Sequence, residues 1–435
     1  MYITTNKKYI ISLLFSLLWV GVSIWIAQWW IEDLSQLFTR VGAWMVLAGI
    51  ALLPGMMNAF IIASLLLDRR PKLLDPEFDY KPEITILIAA YNEEDAIGDT
   101  IKSIQNQNYP NINKIIVVDD GSKDKTSEIV AELSASDDRI KLVKMIENSG
   151  KARALNNGLI YVETEILVTI DADCYLYKNS LRNLVGRYLA DPPSAAIAGT
   201  VMVRNSRHNI VTKIQEWDYF HGIAAIKRIQ SLYQGTLVAQ GAYTLFKTDI
   251  VKELGGWKHS VGEDIVLTWE LLEHGHRVGY AENAVAFTNV PTTWKNFIKQ
   301  RMRWARGIFE AIKNSPKILL KVRKTQLFIW WNVSFLYIDI LYTFVFIPGI
   351  IAALLFQNFL IAGPITLIVI PLGLMINYIM YYRSNQMFRE QGLCVRSNPI
   401  GFLCYAILYS IILQPASTLG YLKEIFNSKK SWGTK

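Results

Sequence analysis

The chain alternates long charge-free apolar runs with one long polar block. No Asp, Glu, Lys or Arg occurs over residues 9–31 (23 residues), 41–67 (27) or 397–422 (26), and residues 325–382 (58) hold only Asp339. A bilayer crossing needs about 20 apolar residues. The first three runs therefore each predict one membrane helix, and the fourth predicts two. Between them lies a polar block, residues 68–324, whose 257 residues can bury a complete α/β core. Within it, short β-branched runs at Ile84–Ala90, Lys114–Asp119, Ile140–Met145 and Ile166–Asp171 alternate with helical patterns near 94–107, 124–135, 151–162 and 179–189. This alternation predicts βαβ units around a mostly parallel sheet. Ligands of such sheets bind at the carboxyl ends of the strands.

Composition sharpens the picture. Hydrophobic residues make up 51% of the chain and charged residues only 19%, which excludes a disordered chain. The run after Lys7 and Lys8 is too long for a signal-peptide core, so it is expected to stay as an anchor. The net charge of +8 does not imply nucleic-acid binding. Basic residues cluster instead at membrane borders: Lys7 and Lys8; Arg69, Arg70 and Lys72; Lys317, Lys321, Arg323 and Lys324; Arg383, Arg389 and Arg396. Positive-inside bias then places the polar block in the cytoplasm and Glu32–Arg40 outside, with Trp25, Trp29, Trp30 and Trp44 as an interfacial belt. Parity puts the C-terminus outside after five crossings. The basic tail with Lys423, Lys429, Lys430 and Lys435 favours inside, and Pro415 offers a break for a re-entrant alternative. Cys174, Cys394 and Cys404 have neither metal-site spacing nor a disulfide framework.

Polar clusters follow the predicted strands. The first strand runs into Tyr91-Asn92-Glu93-Glu94, the second into Asp119-Asp120-Gly121-Ser122, and the fourth into Asp171-Ala172-Asp173. A turn with a helix cap accounts for the second cluster, and a loop for the third. Two carboxylates one residue apart also suit a hard divalent cation, which would take its other ligands from water and phosphate. Asn148-Ser149-Gly150-Lys151 enters a helix and can meet an anion. It lacks P-loop spacing, and no GxGxxG follows the first strand. Gly262-Glu263-Asp264 precedes a helical stretch and reads either as a cap or as a general base. Gln300-Arg301-Met302-Arg303-Trp304 lies on an amphipathic stretch that a membrane-surface helix would also explain.

In order and spacing, Asp120, Asp171-x-Asp173, Glu263-Asp264 and Gln300-x-x-Arg303-Trp304 resemble the signature of the family 2 glycosyltransferases. The resemblance is to their membrane-bound processive synthases, which make cellulose, chitin, hyaluronan and poly-N-acetylglucosamine. It covers the polar block and the helices around it, and the layout is most similar to the poly-β-1,6-N-acetylglucosamine synthases. It implies a Rossmann-like GT-A domain at 68–290, two N-terminal membrane helices at 1–67, an interface segment at 291–324 and C-terminal membrane helices with a basic tail at 325–435.

The resemblance also implies roles. Tyr91, Glu93 and Asp120 would hold the uridine, with Lys151 near the nucleotide. Asp171 would bind nucleotide and, with Asp173, the Mg2+ or Mn2+ on the diphosphate. Asp264 would be the catalytic base, with Glu263 beside it, and Gln300, Arg303 and Trp304 would close over diphosphate and acceptor. Gly241 in Gln240-Gly241-Ala242-Tyr243 would shape the acceptor site, although this segment departs from the usual Ser-Gly or Cys-Gly start. The implied reaction is inverting, metal-dependent, processive transfer from a UDP-sugar, N-acetylglucosamine first, to a β-linked exopolysaccharide. Export through the cell membrane and a small membrane partner subunit are implied with it. The alternatives are a single-addition polyprenyl-phosphate glycosyltransferase, against which Gln300–Trp304 speaks, and a synthase of another polymer such as a glucan or hyaluronan. A membrane scaffold with a dead transferase domain is disfavoured because every signature position is filled.

Overall fold

The computed structural model describes residues 3–68, 81–190, 193–233, 235–390, 392–394 and 397–426. Arg69, Arg70, Lys72, Arg396, Lys429, Lys430 and Lys435, on which part of the charge argument rested, lie outside them. Helices α1 (Thr5–Ile26), α2 (Gln28–Leu37) and α3 (Arg40–Leu67) precede the polar block. The block folds as β1 (Ile84–Ala90), α4 (Ile97–Gln105), β2 (Ile112–Asp119), α5 (Thr126–Ser136), β3 (Ile140–Lys144), α6 (Lys151–Leu159) and β4 (Ile166–Asp171). Then come β5 (Cys174–Leu176), α7 (Ser180–Ala190), β6 (Ser194–Val203), α8 (Ile210–Asp218), α9 (Ile226–Leu232), β7 (Tyr243–Lys247), α10 (Thr248–Glu253), α11 (Glu263–Glu273) and β8 (Arg277–Thr288). Helices α12 (Trp294–Asn314), α13 (Gln326–Phe356), α14 (Pro364–Glu390) and α15 (Pro399–Ile425) complete the order.

The eight strands form one sheet in the order β3-β2-β1-β4-β7-β6-β8-β5. The half β3-β2-β1-β4 is wholly parallel, as the alternating pattern requires. β7 then runs antiparallel between β4 and β6, β8 returns parallel to β6, and β5 closes the edge antiparallel. Every residue of β1 is buried, because helices cover both faces. Side chains alternate across the strand: Ile84, Ile86 and Ile88 pack with Ile97 and Ile101 of α4, whereas Leu87 and Ala89 join Leu155 and Leu159 of α6. That second layer does not stop at the domain. It runs on into Phe60, Ile61 and Leu65 of α3, Phe328 and Ile329 of α13, and Met380 of α14. Tyr9, Phe60, Tyr233 and Phe328 form its aromatic seam, with ring centroids 5.1 to 5.8 Å apart for the Tyr9–Tyr233, Tyr9–Phe60 and Phe60–Phe328 pairs.

Four helical stretches among the described residues are long and apolar enough to cross a membrane: Thr5–Ile26, Arg40–Leu67, Gln326–Phe356 and Pro399–Ile425. The fifth expected crossing coincides with the 27-residue helix α14. Pro415 sits inside α15, which continues through it. Trp30 Nε1 donates to the Leu360 carbonyl at 3.1 Å, so α2 and the turn after α13 share one side of the helical bundle. Asp339 is buried between α13 and α15, where the Tyr421 hydroxyl donates to Oδ2 at 2.9 Å. The three cysteines are free.

Candidate active site

The carboxyl ends of the parallel strands carry the predicted polar residues, and hydrogen bonds lock their loops together. After β1, Asn92 adopts a left-handed conformation (φ 55°). Its amide donates to the Ser122 hydroxyl and its side-chain oxygen accepts from Lys123 N–H, both at 2.9 Å. After β2, Asp119 accepts from Ser122 N–H at 2.9 Å and from the Ser127 hydroxyl. Gly121 turns the chain at φ +72°, and a Cβ there would lie 2.8 Å from the Glu147 carbonyl carbon and 2.9 Å from Asn148 N. Asp120 is fully buried, and its two oxygens accept from Ser149 N–H and Gly150 N–H, each at 2.8 Å. Its carboxylate therefore fixes the Ser149–Gly150 turn. Burial pushes its pKa up, the two amide donors pull it down, and Asp119 pushes it up further, for a net rise.

That turn aims Lys151, the first residue of α6, into the acidic centre. Lys151 Nζ lies 2.6 Å from Asp171 Oδ1 at the end of β4 and 3.1 Å from Glu263 Oε1 at the start of α11. Burial alone would favour the neutral amine. The fields of Asp171, Glu263 and Asp264 outweigh it and raise the lysine pKa, so Lys151 stays cationic. Gly241 makes the approach possible, since a Cβ on it would stand 2.5 Å from Lys151 Nζ. The Gly241 amide donates to Asp264 Oδ2 at 3.1 Å, and Ile265 N–H donates to Oδ1 at 2.8 Å. Glu263 and Asp264 thus differ although they are adjacent. Glu263 is buried against Lys151, whereas Asp264 is partly exposed. Burial raises the Glu263 pKa against the opposing pull of Lys151 and Arg303.

Asp173 accepts from the Thr288 hydroxyl at 3.2 Å. Burial first, then the Asp171 and Glu93 carboxylates, push it up to about 7, against Thr288 and Lys151. A group so penalised for its negative charge is one that a bound cation would relieve. Among the described residues no set of three or more His, Cys, Asp or Glu side chains gathers to hold a metal. Asp171 and Asp173 supply only two carboxylates. This fits a cation that completes its shell with diphosphate and water, not one caged by protein alone.

Helix α12 brings the last signature residues over this centre. Arg303 is partly exposed and acts on Glu263 from above. Gln300 is buried, and its Oε1 has no hydrogen-bond partner among the described residues. Trp304 is 36% exposed, with the Arg301 guanidinium 4.0 Å from its ring centroid and Tyr219 6.3 Å away. Arg301 itself pairs with Asp218 at 2.9 Å. Tyr91 and Glu93 are partly exposed at the end of β1. Sequence reasoning missed Lys227 on α9, which is buried and feels Asp264. It also missed Gly307 and Glu310 on α12. Their spacing from Arg303, four and seven residues, places all three on one helical face and was the available signal.

Residues 85–255 match glycosyl transferase family 2, and residues 228–315 match the chitin synthase-like glycosyltransferase domain. The poly-beta-1,6-N-acetyl-D-glucosamine synthase of Staphylococcus aureus (strain MSSA476) is 32% identical over 282 residues, covering 63% of this chain and 67% of its own. The synthase of the same name from Staphylococcus epidermidis is 32% identical over 276 residues, 62% of this chain and 66% of its own. A solved mannosyltransferase from Pyrobaculum calidifontis, in complex with GDP-Man and Mn2+, superimposes with a TM-score of 0.62 at 20% identity, over 88% of this chain and 98% of that one. Fold and site define a membrane-associated glycosyltransferase of the GT-A type. The chain belongs to glycosyltransferase family 2.

Proposed function

We propose that the protein is a processive synthase that transfers N-acetylglucosamine from its UDP-sugar to a growing β-linked polysaccharide at the membrane. The observation that carries the chemistry is the contrast between the adjacent carboxylates. Glu263 is bound into an ion pair with Lys151, while Asp264 is held by two backbone amides yet partly exposed. Asp264 is then the general base that takes the proton of the acceptor hydroxyl as it attacks the anomeric carbon. With Asp264 as the base and Glu263 tied to Lys151, the displacement is single and inverts the anomeric centre.

Tyr91 and Glu93 line the uridine side, where Asp120 contributes through the Ser149–Gly150 turn. Asp171 and Asp173 would hold Mg2+ or Mn2+, which supplies charge neutralisation on the diphosphate when bound. Lys151 and Arg303 offer fixed positive charge to the UDP leaving group. Trp304 presents a ring face to the acceptor sugar, and Gln300, buried with an unpartnered oxygen, supports it from the same helix. The donor choice and processivity draw support from the 32% identity to the staphylococcal synthases and from the complete Gln300-x-x-Arg303-Trp304 signature. Export between the membrane helices and a small membrane partner extend the same reading.

The test is UDP release by the membrane-embedded full chain, offered each UDP-sugar singly with and without Mg2+ or Mn2+, with product size measured alongside. High-molecular-weight product from UDP-N-acetylglucosamine alone supports the proposal. Turnover that stops after one sugar on a lipid would overturn processivity.

A further inference from the structure

From the joint between α11 and α12 we infer that Glu310 is a positioning residue for the base: it fixes the turn that presents Asp264, and so makes base and acceptor helix one unit. This rests on the reading of Asp264 as general base. The turn before α11 has little side-chain anchorage of its own, because Gly262 stands at the helix entrance with no side chain to cap it. The anchorage comes from the neighbouring helix. Glu310 is 3% exposed, and its Oε2 accepts from Val261 N–H at 2.8 Å and from Gly262 N–H at 3.2 Å. Both amides lie within three residues of Asp264. A carboxylate at a helix entrance also suits the positive end of the helix dipole.

One turn closer to Arg303, Gly307 brings the two backbones together. A Cβ on Gly262 would lie 2.6 Å from Gly307 Cα, and one on Gly307 would lie 3.0 Å from Gly262 Cα. Neither neighbour is a flexible side chain that could swing aside. Arg303, Gly307 and Glu310 follow at i, i+4 and i+7, so one face of α12 carries both the phosphate-facing arginine and the two contacts that place the base. The adjoining side of α12 meets helix α15. There Arg306 Nε lies 3.1 Å from Glu424 Oε2, and a Cβ on Gly420 would stand 2.5 Å from the Met302 carbonyl oxygen. The base is therefore referenced to the membrane helices through α12.

The experiment compares wild type, Glu310→Ala, Glu310→Gln, Gly307→Ala and Asp264→Asn as full chains in lipid nanodiscs. It measures UDP release against UDP-N-acetylglucosamine concentration and, separately, UDP affinity. A misplaced base slows the chemistry without loosening the donor. Glu310→Ala should lower kcat about 100-fold, the scale of a 1 Å misplacement, with donor KM and UDP affinity unchanged within about twofold. The glutamine oxygen still accepts both amides, so Glu310→Gln should recover about tenfold. Gly307→Ala, which keeps the carboxylate but pushes the turn, should show the same loss confined to kcat. Adding Glu310→Ala to Asp264→Asn should cost nothing further. Wild-type kcat in Glu310→Ala or Gly307→Ala overturns the inference, as does UDP affinity falling in step with kcat, or a glutamine variant as impaired as alanine. Wild-type turnover in Asp264→Asn instead overturns the assignment of the base itself, whatever Glu310 does.

Discussion

The two halves of the sheet build their parts of the site by different means. On the parallel side, β1, β2 and β4 each end in a polar cluster, and neighbouring loops brace one another through Asn92, Asp119 and Asp120. Each functional residue sits at most a few positions from the strand that aims it. On the mixed side, the strands contribute little chemistry directly. Asp264 sits on a helix, Gly241 precedes β7, and Arg303 and Trp304 arrive on α12, which is itself fastened to α15. The residues proposed for the donor are thus placed locally, while those proposed for the acceptor depend on contacts between distant parts of the chain. Lys151 bridges the halves, because it pairs at once with Asp171 and Glu263.

The largest effect expected from breaking this arrangement falls on the mixed side. Asp264→Asn should reduce kcat about 1000-fold, within the range for a lost general base, while UDP still binds; stopped turnover assays with a separate UDP-binding measurement check both. Next comes a donor-side lesion. Gly121→Ala must place a side chain at φ +72° against the backbone of Glu147 and Asn148. It should raise donor KM about tenfold, since the distortion costs of order 1–2 kcal/mol, with product length unchanged. Trp304→Ala should do the reverse. It should shorten the polymer, seen by gel filtration, and leave donor KM within about twofold. If both variants changed both readouts, the division between halves would be lost.

The smallest effect concerns stability. Burial lowers the Lys227 pKa to about 7, against the pull of Asp264. The unfolded lysine, with an ordinary value of 10.5, then binds more protons than the folded one between about pH 7 and 10.5. Stability should therefore rise with pH across that window. Lys227→Met should flatten the slope and raise the unfolding midpoint at pH 7, measured by thermal unfolding in detergent.

The same contrast explains what could be read from the chain. The parallel half was legible because β-branched runs and helical periods alternate within short windows, and strand ends mark themselves with Asp, Asn and Gly. All four expected strands formed within two residues of the sequence reading. The mixed half was not legible in that way. Nothing local in Tyr243–Lys247 says that it will insert antiparallel beside β4, and β5 is three residues long. The motif residues were visible, but not their division of labour. Asp120 turned out to face the Ser149–Gly150 turn, Arg301 to face Asp218, and Glu263 to be tied to Lys151. These distinctions depend on pairings across 29 to 112 residues, which periodicity does not carry.

The core layer that joins Phe60, Ile61 and Leu65 to Leu87, Phe328, Ile329 and Met380 has a consequence for biogenesis. Its members come from both ends of the chain, so a ribosome that has finished the transferase domain has not yet made the surface that covers it. The domain's inner layer is complete only when the flanking helices have packed against it. A chain stalled before α13 and α14 are made leaves that layer incomplete.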